Sequence, residues 1–421
     1  MLDTLRTTTL PNGLQVATLA RPDAEAVQIN IHVLVGSRNE PERLNGASHF
    51  IEHMLFKGTP KRSAKAISTA IEAQGGSINA FTDRDNTCYY ARVPHNKARI
   101  ALDVLADLFY NATFAPKELD RERRVIAEEI AMYADQPDSV VLDQLVGQLW
   151  AGHPLGRTVL GPAQTILTLP REELLAYRAA NYAPNRTLFF FSGRVDHERC
   201  VRAVERIAGH LKNPEGQPSP EPYSRVIPRT PFALTTRDIQ QTQLALGFRT
   251  PGFEAPAELP AAATLSALLG ESMMSRLFQS IREKRGLCYS VSSSLDVSSD
   301  YGALYLSAGT SPDKGLTCAK AILAELAKLR EKPVPAAELK RTRDYLSGRF
   351  RLMLDRAPLG WVAYRLLLHL PVDPQATLEG YAAVTPADLQ AFAQRYLATP
   401  TLSVVAPQGE KASRWEKLGI V

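Results

Sequence analysis

The chain has 421 residues, 45% of them hydrophobic and 22% charged. That is the composition of an ordinary globular protein, and the length points to two domains rather than one. The net charge of +5 comes from 49 basic and 44 acidic side chains spread without blocks, which argues against nucleic acid or a membrane surface as a partner. No window approaches the roughly 18 apolar residues of a membrane span, and no leader is visible before the turn at Pro11-Asn12-Gly13. The four cysteines, Cys88, Cys200, Cys288 and Cys318, are scattered without metal-ligand spacing, as expected of reduced thiols in a cytoplasmic protein.

In chain order, strand-like runs come first, at 14–18 and 26–34. A helix follows from His49 to Phe56, entered through Asn45-Gly46-Ala47-Ser48. A second helix at 64–73 leads into a strand pair, Gly75 to Thr82 and Thr87 to Val93. Long amphipathic helices follow at 100–110 and 116–134, and a helix from Leu169 and a strand at 187–193 close the half.

The same order then repeats. Strands at 232–236 and 242–248 precede a helix at 260–269, a helix at 274–284 and a strand pair at 288–294 and 302–308. Helices at 314–330 and 335–354, a helix from Val384 and a strand at 401–406 complete it. Six or so elements in one order imply a duplication. The expected fold is α+β: two homologous halves, each a mostly antiparallel sheet covered by helices on one face. The Pro-rich stretch in 213–227 reads as a linker between domains at 1–212 and 228–421.

The chemistry concentrates in His49-Phe50-Ile51-Glu52-His53. Residues four apart on a helix lie one turn apart on one face, so His49 and His53 can share one metal ion. Glu52 can reach a water beside them, and two imidazoles with a carboxylate are parts of a zinc hydrolase. The order H-x-x-E-H inverts the usual zinc-protease arrangement. The plain alternative, surface or capping histidines, loses weight once a third ligand is found. In the helix at 116–134, Glu122 and Glu129 stand seven apart and share a face, whereas Glu128 turns toward solvent. Glu129 can bind the metal while Glu122 holds the far nitrogen of a ligating histidine.

With Glu129 seventy-six positions after His53, and with flanks Met54-Leu55-Phe56-Lys57-Gly58-Thr59, Gly75 to Thr82 and His153-Pro154-Leu155-Gly156, the chain resembles the zinc peptidases of the pitrilysin family. The resemblance covers essentially the whole chain and is strongest to the short bacterial branch related to the mitochondrial processing peptidase. It implies a zinc endopeptidase acting on short or unfolded peptides in a closed chamber, with one zinc ion per chain on His49, His53 and Glu129. It further implies Glu52 as general base and Glu122 as the carboxylate behind a ligand. The strand through Asn79, Ala80 and Phe81 resembles the family's substrate-binding edge strand. Arg282 and Tyr289 resemble its substrate-gripping pair. Asp85 and Asn86 depart from the residues common there and are assigned no role. Because one chain carries both the metal residues and the Arg/Tyr pair, a homodimer is favoured, with a heterodimer still open. The rival expectation is a non-catalytic structural or partner subunit; such relatives lose the metal residues, which this chain retains.

Overall fold

The computed structural model describes residues 2–223, 229–356 and 358–420, and the expected linker's residues 224–227 lie outside the described residues. The chain divides into two compact units, and neither is one continuous stretch. The first comprises residues 1–131, 157–221 and 357–372, and the second 132–156, 222–356 and 373–421.

In the first unit six strands, β1 (Leu5–Thr9), β2 (Gln15–Ala20), β3 (Ala26–Val33), β4 (Ser77–Thr82), β5 (Thr87–Pro94) and β6 (Thr187–Gly193), form a sheet in the order β1-β2-β6-β3-β5-β4. Neighbours are antiparallel except β2 and β6. In β3 the two-residue period sorts Val27, Ile29, Ile31 and Val33 into the core and leaves Gln28, Asn30 and His32 between them. Against that apolar face pack α1 (Ala47–Leu55) and, further along the chain, α2 (Pro116–Ala134). β4 ends the sheet, and its residues alternate between exposed and half-buried.

In the second unit β7 (Phe232–Arg237), β8 (Thr242–Thr250), β9 (Ser290–Val297), β10 (Gly302–Thr310) and β11 (Thr401–Pro407) run in the order β7-β11-β8-β10-β9. Only β7 and β11 pair in parallel. Both sheets are mixed α+β layers of the kind the repeated order implied.

Among the helices that were not anticipated, two belong to the unit formed mainly by the other half of the sequence. Helix α3 (Pro137–Leu149) buries Val141, Leu145 and Leu149 against Ala245, Ala303 and Val405 of the second sheet. Helix α4 (Leu359–Leu367) buries Leu359, Val362 and Leu367 against Ala17, Leu19, Leu188 and Phe190 of the first.

The helix expected over 274–284 differs in winding. It runs as a π-helix over Phe278–Glu283, with the Lys284 N–H donating to the Gln279 carbonyl at 3.1 Å. One extra residue per turn still carries Leu277 and Ile281 into the core, so apolar spacing alone does not reveal it.

Candidate metal centre

Helix α1 is held in place before any metal is considered. Phe50, Ile51, Met54 and Leu55 are fully buried, each contributing about 1.5–3 kcal/mol of transfer energy. The helix starts at Gly46, whose φ of 97° is left-handed, a conformation glycine adopts without penalty. A Cβ there would lie 2.6 Å from the Leu160 carbonyl oxygen. No serine or threonine caps this end. Instead buried Glu40 accepts the Gly46 and Ser48 N–H groups, both at 2.7 Å, and Asn45 Nδ2 at 3.0 Å. Burial pushes the Glu40 carboxyl up to about 7, against those hydrogen bonds, which pull it down.

The opposite face of α1 presents His49 and His53, ring centroids 4.7 Å apart. Glu129 of α2 meets both: its Oε2 is 3.7 Å from His49 Nε2 and 3.5 Å from His53 Nε2. Among the described residues these three form the His/Cys/Asp/Glu group able to hold a metal, their ligand atoms all within 4.8 Å of one another. Glu128 is exposed, as the helical period required.

The donor chemistry fits a cation. Glu122 is buried, and its Oε2 lies 3.0 Å from His53 Nδ1. A carboxylate only accepts, so Nδ1 carries the proton and the Nε2 lone pair faces Glu129. Burial and the nearby His53 depress the His49 pKa to about 3, leaving that ring neutral. Among the described residues its buried Nδ1 has no hydrogen-bond partner. The His53 lone pair and the Glu129 carboxylate converge with the His49 Nε2 beside them, an arrangement a cation relieves. Zinc–ligand bonds of about 2.0–2.1 Å in a tetrahedron place donors about 3.3 Å apart, close to the 3.5 and 3.7 Å seen.

Glu52 occupies the next position round α1. Its Oε2 accepts the Thr82 hydroxyl at 2.5 Å, which ties the helix to the end of β4. Burial raises the Glu52 pKa, opposed by Thr82 and His53 and aided by Glu129. Glu122 is held the other way: burial would raise it, but hydrogen bonds from His53 and Lys57 (Nζ to Oε1, 2.7 Å) prevail and lower it. Lys57 and Thr82 thus support the centre, as Glu40 does, and none was singled out from sequence. Asp85 pairs with buried Arg38 at 3.0 Å and accepts the Tyr364 hydroxyl, a structural role.

Of the remaining candidates, Asn79, Ala80 and Phe81 lie on β4, the free edge of the first sheet. The Ala80 N–H donates to the neighbouring Asn79 Oδ1 at 2.8 Å, and Phe81 is 44% exposed. In the second unit the Arg282 guanidinium lies over the Tyr289 ring, 5.6 Å from its centroid, and Tyr289 is 79% exposed. No helix among the described residues is long and apolar enough to cross a membrane.

Residues 15–163 match the family described as Insulinase (Peptidase family M16), and residues 168–346 match the Peptidase M16 inactive domain. A protein of Streptomyces coelicolor named an uncharacterized zinc protease is 36% identical over 98% of this chain and 92% of its own length. One of Mycobacterium tuberculosis, named likewise, is 34% identical over 98% of this chain and 95% of its own. The crystal structure of a protease from Helicobacter pylori shares the fold, with a TM-score of 0.90 at 23% identity over 97% of this chain and all of its own.

Proposed function

The chain belongs to the insulinase family of peptidases, M16, and we propose that it is a zinc-dependent endopeptidase of short or unfolded peptides with one zinc ion per chain. The observation that carries this reading is the convergence of His49 Nε2, His53 Nε2 and Glu129 Oε2 beside Glu52.

Zinc bound there would polarise the scissile carbonyl and lower the pKa of a water to about 7. The rest falls to side chains of this chain. Glu122 fixes the His53 ring and its tautomer. Thr82 holds one oxygen of Glu52 and leaves the other to take a proton from the hydrolytic water and deliver it to the leaving amine. A carboxylate raised by burial is a stronger base for that transfer. The β4 edge receives the peptide as an added strand, which reads main chain and tolerates varied side chains. Arg282 and Tyr289, by resemblance, donate to the substrate carbonyl as it gains charge; one such donor is worth about 100 to 1000-fold.

The assembly proposed is a homodimer enclosing a chamber that admits peptides and excludes folded proteins. Digestion of a peptide library by the purified chain, with and without chelator and read by mass spectrometry, tests the reading. Cleavage that stops with chelator and returns with zinc supports it; no cleavage, or cleavage indifferent to chelator, contradicts it.

A further inference from the structure

Strand β4 presents two faces. Ile78, Ala80 and Thr82 lie on the side of α1, where Ile78 and Ala80 pack on the core and Thr82 meets Glu52. Ser77, Asn79 and Phe81 alternate with them, point the other way and are exposed.

The register continues this second face into the sheet. Phe81 stands opposite Cys88, Asn79 opposite Tyr90, and Ser77 opposite Arg92, which in turn stands opposite Gln28 of β3. Directly paired residues of antiparallel strands share a face. Ala91 and Val93 fill the core, so Arg92 between them projects outward, and it too is exposed. Among the described residues Arg92 has no ion-pair partner. Strands β3, β4 and β5 contain no acidic residue, so the sheet around this cation supplies no counter-charge.

A peptide added to β4 lies two strand spacings from β5, about 9.5 Å. The residue it pairs with Ser77 turns its side chain onto the face of Arg92. Only the small serine side chain stands between them, and a long arginine stem crosses it where a bulkier residue would block the way.

We propose that Arg92 makes the enzyme prefer an acidic side chain at the substrate position paired with Ser77. The proposal rests on the reading of β4 as the substrate edge. Main-chain pairing is blind to side chains, and the guanidinium fork, which matches a carboxylate bidentately, adds selectivity to it. Ser77 and Thr82 are the two ends of β4, and Thr82 binds Glu52. The preferred acid therefore falls within about five residues of the scissile bond, a span of about 16 Å along the strand. That separation lets Arg92 act on binding and keeps it out of the proton transfer.

The experiment is digestion of a peptide library by the full zinc-loaded chain and by Arg92→Glu, with cleavage sites aligned by mass spectrometry. Kinetics then follow on one cleaved peptide carrying Glu, Gln or Lys at the enriched position. The wild type should favour Glu over Gln by about two- to five-fold, through KM rather than kcat. The preference should shrink as salt rises. Arg92→Glu should favour Lys instead, and Arg92→Lys should keep a preference for Glu. Lys417→Glu, changed at an exposed position of the second unit, should select like the wild type. Should Arg92→Glu fail to melt cooperatively, Arg92→Gln takes its place, with loss of the preference expected. Cleavage without acidic enrichment within about five residues of the cut, or enrichment that survives the Arg92 variant, overturns the proposal and leaves the peptidase reading standing. No cleavage by any of these proteins overturns both.

Discussion

Glu122 of α2 meets His53 of α1 at 3.0 Å, Oε2 to Nδ1, while its second oxygen takes Lys57 at 2.7 Å. One buried carboxylate therefore sets both the tautomer and the direction of a proposed metal ligand. Such outer contacts typically contribute 10 to 100-fold in metal affinity. Glu122→Ala should weaken zinc binding by about that factor in a chelator competition, and Glu122→Gln, whose amide oxygen can still accept from Nδ1, by less. Equal affinity in all three proteins would leave Glu122 with no part in the centre.

Glu52 is assigned the proton transfer and not the metal. Glu52→Gln should keep a wild-type zinc content while turnover of a cleavable peptide falls about 10²- to 10⁴-fold. Loss of zinc together with activity would instead make Glu52 a ligand.

The Ala80 N–H donates to its neighbour Asn79 at 2.8 Å, a bond an incoming strand would replace. Proline is tolerated on an edge strand but cannot donate. Ala80→Pro should raise KM by roughly ten-fold, the worth of one lost hydrogen bond of about 1 kcal/mol or more, with little change in Tm. An unchanged KM would remove β4 from substrate binding.

The grouping of the candidate metal residues was legible because helical periodicity turns sequence spacing into shared faces: four residues join His49 to His53, and seven join Glu122 to Glu129. Other supports were not legible, because they depend on distant chain. Glu40 caps α1 across a loop, while the polar turn Asn45 to Ser48 that precedes the helix supplies no side-chain cap. Helices α3 and α4 escaped for a related reason, since local pattern does not say which sheet an amphipathic helix will cover. One trace existed in Gly247 of β8, where a Cβ would lie 2.7 Å from Leu149 Cδ1 of α3. A glycine inside a strand can mark such a close approach. The π-winding at 278–283 was hidden because Leu277 and Ile281 keep ordinary helical spacing.

Asp107 anchors the segment that follows α1, accepting Thr59 and Arg62 through Oδ2 at 2.7 and 2.5 Å and Asn111 through Oδ1 at 3.0 Å. Burial would raise its pKa, but these donors prevail and lower it. A depressed carboxyl contributes stability above its unfolded pKa, about 3.9, and loses it as pH falls through the folded value. Asp107→Asn should therefore cost about 1–3 kcal/mol at pH 7. The gap in Tm between variant and wild type should narrow below about pH 4. A gap independent of pH down to acid unfolding would assign the loss to packing rather than charge.

The most direct test of the account is anomalous diffraction at the zinc edge from crystals of the zinc-loaded chain. The account predicts one strong peak per chain, about 2.0–2.1 Å from His49 Nε2, His53 Nε2 and a carboxylate oxygen of Glu129. A peak elsewhere, or none at those three atoms, would contradict it.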